Sequence, residues 1–154
     1  MVITLVAVFG TLAGALVTGL LQHLTAARTQ SAARAEARRQ ALTEAVPGLL
    51  KAVVEFREVQ FLKIRAKQEG REDTQEAVER RYTARSRMTA AHDTLFLATS
   101  DNELLAVAQE AVTAAIALGD VAPNQDEVNV ARDRARRAHT ALRAAGARAV
   151  QAFH

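Results

Sequence analysis

The stretch NQDEVNVARDRARRAHTALRAAGARAVQA, residues 124–152, decides the fold. Its apolar residues Val128, Ala131, Ala135, Ala138, Leu142, Ala145 and Ala149 recur in alternating steps of three and four. A helix turns once in about 3.6 residues, so this spacing lines one face of an α-helix. The surrounding Ala, Arg and Gln favour helix, and no alternating run of strand length is present anywhere in the chain. An alanine seam lets a neighbouring helix come close. It also buries little apolar area, at about 25 cal/mol per Å². The expectation is a thin bundle, or one completed by a second copy.

The same spacing recurs upstream. Ala84, Met88, Ala91, Leu95 and Ala98 form one stripe, and Leu104, Ala108, Ala111, Ala115 and Leu118 form another. Residues 48–69 carry the bulkier Leu49, Leu50, Val53, Phe56, Val59 and Leu62, expected to supply much of the core. Breaks fall at Pro47-Gly48, at Gly70 to Asp73, at Ser100 to Glu103 and at Gly119 to Asn124. Proline removes a backbone donor and crowds the preceding turn, so Pro47 is expected to kink or end a helix. Ser100 with Glu103 reads as a capping box. Helices are therefore expected over about 2–46 and near 48–69, 74–99, 101–118 and 124–152. Their short connections make neighbours antiparallel.

At the other end, Met1 to Ala27 contains no Asp, Glu, Lys or Arg. Val2 to Leu21 is a 20-residue apolar run. As a helix it extends about 30 Å, the thickness of a bilayer's hydrocarbon core. No basic segment precedes it, which favours an uncleaved anchor over a signal peptide or a buried helix of a soluble domain. Arg28, Arg34, Arg38 and Arg39 follow it. By the positive-inside rule the N-terminus then lies outside and the body in the cytoplasm. Those arginines read as topology determinants able to contact lipid headgroups. Thr4, Ala7, Gly10, Thr11, Gly14 and Thr18 are small residues expected to form a packing face for a second copy or another membrane protein. The expected fold is all-α: a single transmembrane helix (residues 1–27), a basic juxtamembrane helix (28–46) and a cytoplasmic antiparallel helical bundle (47–154), placed in the cytoplasmic membrane.

Composition narrows the chemistry. The 154 residues include 17 Arg and only three Lys, with a net charge of +3. There is no cysteine, which excludes disulfides and thiolate metal sites. High Ala and Arg with low Lys reflects a high-GC genome, as in actinobacteria. The most basic stretch holds Arg132, Arg134, Arg136, Arg137, Arg143 and Arg148 against Asp133 alone. It reads first as a solvated helix face, and second as a surface for nucleic acid, lipid or an acidic partner. Of His23, His92, His139 and His154, no two stand three or four apart, so no helical metal site is expected. There is no P-loop, Gly-rich dinucleotide turn, G-x-S-x-G or Glu-x-x-His pair. Neither catalysis nor a cofactor is expected.

The opening VITLVAVFGTLAGALVTGLLQ, followed by TAARTQSAARAEARRQA, resembles the KilB-like small membrane proteins of actinobacterial mobile plasmids. The shared layout is a Gly/Thr-rich span running into an Ala/Arg-rich helix, with an Arg-rich helical remainder. The resemblance implies an accessory role in the transfer or spread of plasmid DNA. It carries over no catalytic residue. The expected function is thus non-enzymatic: a single-pass protein that tethers a helical interaction bundle to the membrane, self-associating or binding another membrane protein. The rival readings are a phage-type lysis or pore-forming protein, a soluble or secreted bundle, and a membrane-tethered nucleic-acid binder using the last helix.

Overall fold

The structure, a computed structural model, describes residues 2–122 and 124–152, and side chains from residue 29 onward. Its helices are α1 (Val2–Gln68), α2 (Gln75–Ala98), α3 (Asn102–Leu118) and α4 (Gln125–Gln151). The chain divides into two units, Met1–Ala37 and Arg38–His154. Every described side chain of the first unit is exposed. The second unit holds the core.

Local sequence sets the helix ends. Gly70, at φ 67°, stops α1: its N–H reaches the Lys67 carbonyl at 3.1 Å and that of Arg71 reaches Ala66 at 2.8 Å. This left-handed terminator suits glycine, which has no Cβ to clash. Thr74 caps α2 by accepting from the Ala77 N–H at 3.2 Å. Asp101 caps α3, accepting from Glu103 and Leu104 at 2.9 and 3.1 Å. The cap is Asp101 and not Ser100, because a carboxylate accepts two of the free N–H groups at once. Asn124 caps α4 through the Asp126 N–H at 2.9 Å.

The four helices of the second unit alternate in direction. Arg134 and Arg148 of α4 bond to Glu110 and Glu103 of α3, so these two helices run antiparallel. Gly146 abuts Val46 while Gln125 meets Gln68, which makes α4 antiparallel to α1 as well. Ala41 and Glu44 line a groove with Thr94 and Leu97, whereas Leu62 and Ala66 line one with Ala77 and Arg80. So α2 also runs against α1.

The core is a stripe on each helix. From α1 come Leu42, Ala45, Val46, Leu49, Ala52, Val53 and Phe56; from α2, Ala84, Met88 and Leu95; from α3, Leu104, Ala108, Ala111 and Ala115; from α4, Ala135, Ala138, Leu142, Ala145 and Ala149. Ile64, Leu118 and Val128 form a smaller cluster. The heptad seam of α4 thus faces inward, with Ala131 only half-buried. The bulky segment of α1 contributes Leu49, Val53 and Phe56, but Leu62 is exposed and Ile64 takes the inward place.

Two expectations are corrected. First, α1 passes through Pro47 without ending. Pro47 and Gly48 are exposed, while Leu42, Ala45, Val46 and Leu49 are buried on the opposite face. A proline in a helix interior costs about 3 kcal/mol, and burial of a stripe running on both sides of it opposes that cost. The core therefore begins at Leu42, before the proline. Second, among the described residues no helix is long and apolar enough to cross a membrane. On that finding the expected transmembrane helix is removed from the fold class, and the single-pass, N-out placement in the cytoplasmic membrane falls with it. The side chains of residues 2–27, from which both were read, lie outside the described residues.

Candidate functional site

Along the sequence the arginines of α4 read first as a solvated helix face and second as a basic surface for nucleic acid, lipid or an acidic partner. The structure divides them between the two edges of the helix. On the edge toward α3, Arg134 donates from Nε and one terminal nitrogen to the two Glu110 oxygens, at 2.9 and 3.2 Å. This bidentate bond raises the Arg134 pKa above the ordinary arginine value. Arg148 donates to Glu103 at 2.7 Å. Glu103 and Glu110 stand seven apart, so α3 offers both from one face.

The other edge carries Arg132, Arg136, His139 and Arg143, in steps of four, three and four. It faces α1, since Gly146 on the same side meets Val46; a Cβ added there would overlap the valine side chain. From α1 the group offered to this edge is Arg57, another cation. Arg132 lies 3.9 Å from Asp133. Among the described residues no carboxylate pairs with Arg57, Arg136 or Arg143. Nε of Arg57 and Nδ1 of His139 are buried without a hydrogen-bond partner. Burial, then the Arg136 charge, lowers the Arg57 pKa. Burial, then Arg57 and Arg143, holds His139 below the ordinary histidine value of 6.5. Arg137 is exposed on the outer face.

Sequence reasoning did not connect Arg57 or His139 to this edge. Arg57 lies some 80 residues from its neighbours and sits within an apolar segment. A possible signal was its register: Leu50, Val54, Arg57 and Phe61 step four, three and four, which places an arginine at the margin of the core stripe.

A second surface is largely apolar. Ala41, Glu44, Ala45 and Gly48 of α1 line a groove with Ala91, Thr94, Leu97 and Ala98 of α2, and Glu44 is its one charged residue. Leu97 is 85% exposed beside it and the adjacent Phe96 59%. Gly48 opens onto free space, with nothing within 4 Å of a Cβ built there. The small residues make a floor, and Leu97 projects next to it.

Of the remaining residues singled out in the sequence, Thr4, Ala7, Gly10, Thr11, Gly14, Thr18 and Arg28 have side chains that lie outside those described. Arg34 and Arg38 are exposed and Arg39 is half-buried. Among the described residues no three His, Asp or Glu side chains gather in a way that could hold a metal ion.

Residues 43–150 match the family model for the KilB plasmid transfer protein. No curated protein and no solved structure matches the chain. The matched segment contains the core from Ala45 to Ala149, all of it but Leu42, together with both edges of α4 and most of the α1/α2 groove. It lies beyond the N-terminal run on which the resemblance was first drawn. The match covers more than two thirds of the chain, from within α1 to the last turn of α4, and on that extent the chain belongs to the KilB plasmid transfer protein family.

Proposed function

We propose that this family member serves plasmid transfer by binding and not by catalysis, as a helical bundle that pairs with a second copy of itself. The observation carrying this reading is the α1/α2 groove. Of the 24 residues of α2, only Ala84, Met88 and Leu95 are buried. Leu97 stands in solvent beside a floor of Ala41, Ala45 and Gly48. A projecting leucine and a small-residue floor on one face make that face complementary to itself. In a two-fold dimer, Leu97 of each copy seats on the Gly48 floor of the other. Exposed apolar groups gathered this way on a small domain mark an interaction surface.

Sedimentation equilibrium of the full chain tests the pairing. The wild type is expected to be dimeric and Leu97→Glu to shift toward monomer, because a charge buried in an apolar contact is strongly unfavourable. The same substitution in a plasmid is expected to lower transfer frequency while the protein still accumulates. A wild type that is monomeric, or a mass unchanged by Leu97→Glu, would sink the pairing; unchanged transfer would separate pairing from function.

A further inference from the structure

Beyond its small-residue floor, the groove between α1 and α2 changes character. Val59 and Leu62 of α1 and Ala84 of α2 line a depression of about 550 Å³, where Leu62 is 55% exposed. Four glutamates border it, Glu55 and Glu58 from α1 and Glu76 and Glu79 from α2, against Arg80 and Arg87. Arg80 donates to Glu76 at 2.6 Å, and Glu55 lies 3.9 Å from Lys51 and 4.0 Å from Arg87. Among the described residues no cation pairs with Glu58 or Glu79; Glu79 accepts from the Gln75 side-chain amide at 3.0 Å. Two exposed carboxylates thus stand uncompensated beside an exposed leucine, in a chain whose net charge is +3.

The same chain carries the complement. Arg34 and Arg38 stand four apart on α1, and residues at that spacing share a helix face. Both are exposed, and among the described residues neither pairs with a carboxylate. Their neighbours Ala33, Ala35 and Ala37 keep this part of the helix slim. A chain does not bring its own Arg38 to its own groove, because 20 residues of helix separate it from Glu58. At 1.5 Å per residue that is about 30 Å. Arginines and groove therefore meet only between copies.

We propose that, in the pair, Arg34 and Arg38 of each copy dock into the acidic groove of the other, on Glu79 and Glu58. The inference rests on the pairing through Leu97 and gives that pairing a direction. Leu97 and Glu44 line the same end of the groove and so lie at one height, and the seat of Leu97 in the other copy is Gly48. With the two α1 helices antiparallel, the height of Glu44 in one copy is that of Gly48 in the other. Farther along, Val54 then matches Arg38 of the other copy, and Glu58 matches its Arg34. Helix side chains lean toward their own N-terminus, which carries Arg38 on toward Glu58 and Arg34 toward Glu79. The alanines between the arginines pass over Val59 and Leu62. Opposite charges placed this way fix the register and direction of a contact more than its strength.

Sedimentation equilibrium of the full chain tests the docking. Glu58→Arg with Glu79→Arg is expected to weaken pairing at least about tenfold, since like charges then face each other at each contact. Arg34→Glu with Arg38→Glu is expected to do the same. All four positions are exposed, so the core is left intact. Mixing the two variant chains is expected to restore pairing to within about threefold of wild type. In the mixed pair both contacts again join arginine to glutamate, and a folding defect cannot produce that rescue. A mixture that pairs no better than either variant alone overturns the docking. Charge reversals that leave the wild-type mass unchanged overturn it too, and if Leu97→Glu still yields monomer the pairing itself stands. A wild type that is monomeric sinks both.

Discussion

The two edges of α4 carry the same residue type and have different surroundings. Toward α3, arginines meet acids in register, and Glu110 takes Arg134 with both oxygens. Toward α1, arginines meet another arginine and a histidine, and buried nitrogens are left without partners. An arginine's meaning on a helix is therefore set by what the neighbouring helix presents at that height. The first edge is a set of surface ion pairs, each worth little. The second is an unbalanced charge, and an unbalanced charge at a helix contact lowers stability.

Both edges exist only while the seam holds α4 in one rotation, so the largest effect should come from the seam. Leu142→Ala empties a fully buried position between them. It is expected to lower stability by about 2–5 kcal/mol in denaturant unfolding, and a loss under about 1 kcal/mol would contradict the packing described. Gly146→Ala probes the α1 side alone. Its new methyl overlaps the Val46 side chain, and overpacking costs about 1–3 kcal/mol, less about 1 kcal/mol from better helix propensity. Val46→Ala in the same chain should restore most of that loss, and a double-mutant cycle reads the coupling.

Smaller effects separate the edges from each other. Arg57→Met removes a partly buried cation facing another cation, and it should stabilise the bundle by up to about 1 kcal/mol. Destabilisation would mean that Arg57 has a partner in solution. Glu110→Gln, on the opposite edge, should cost no more than about 0.5 kcal/mol, and less at high salt.

The smallest effect is the pH dependence from His139. Its folded pKa is depressed, so the folded state releases the proton more readily than the unfolded chain. The associated stability is present above the unfolded histidine value and is lost as pH falls below about 6.5. Its slope should be less than that of one full proton. His139→Gln should flatten this part of the stability profile, and an unchanged profile would place the titration elsewhere.

Much of the bundle is legible in one dimension. The helices beyond α1 end within one residue of where glycine, proline and capping residues place them. The stripes Ala84–Met88–Leu95, Leu104–Ala108–Ala111–Ala115 and Ala135–Ala138–Leu142 lie where their spacing puts them. Helix formation and turn chemistry are local, so neighbouring residues suffice to read them. Pro47 misleads because its effect is weighed against burial at Leu42 and Leu49, several residues to either side. The apolar N-terminal run is read on hydropathy alone, and the finding that no helix among the described residues is long and apolar enough to cross a membrane removes that span from the fold class.

The candidate site is less legible. The six arginines of the last helix were visible as a basic run, but their division was not. Arg57 and His139 gave no signal of belonging together, since a charge at position 57 and a histidine at 139 are each unremarkable alone.

By itself the sequence determined that this chain is helical, where most of its helices begin and end, which face of each turns inward, and that no thiol chemistry operates. These follow from local propensity and from a periodicity fixed by helix geometry. Only the tertiary structure decided that α1 continues through its proline and that one edge of α4 is neutralised while the other is not. Those outcomes depend on groups distant in sequence meeting at one height in a packed bundle. Coulombic and hydrogen-bond energies depend on distance in space, which no reading along the chain supplies.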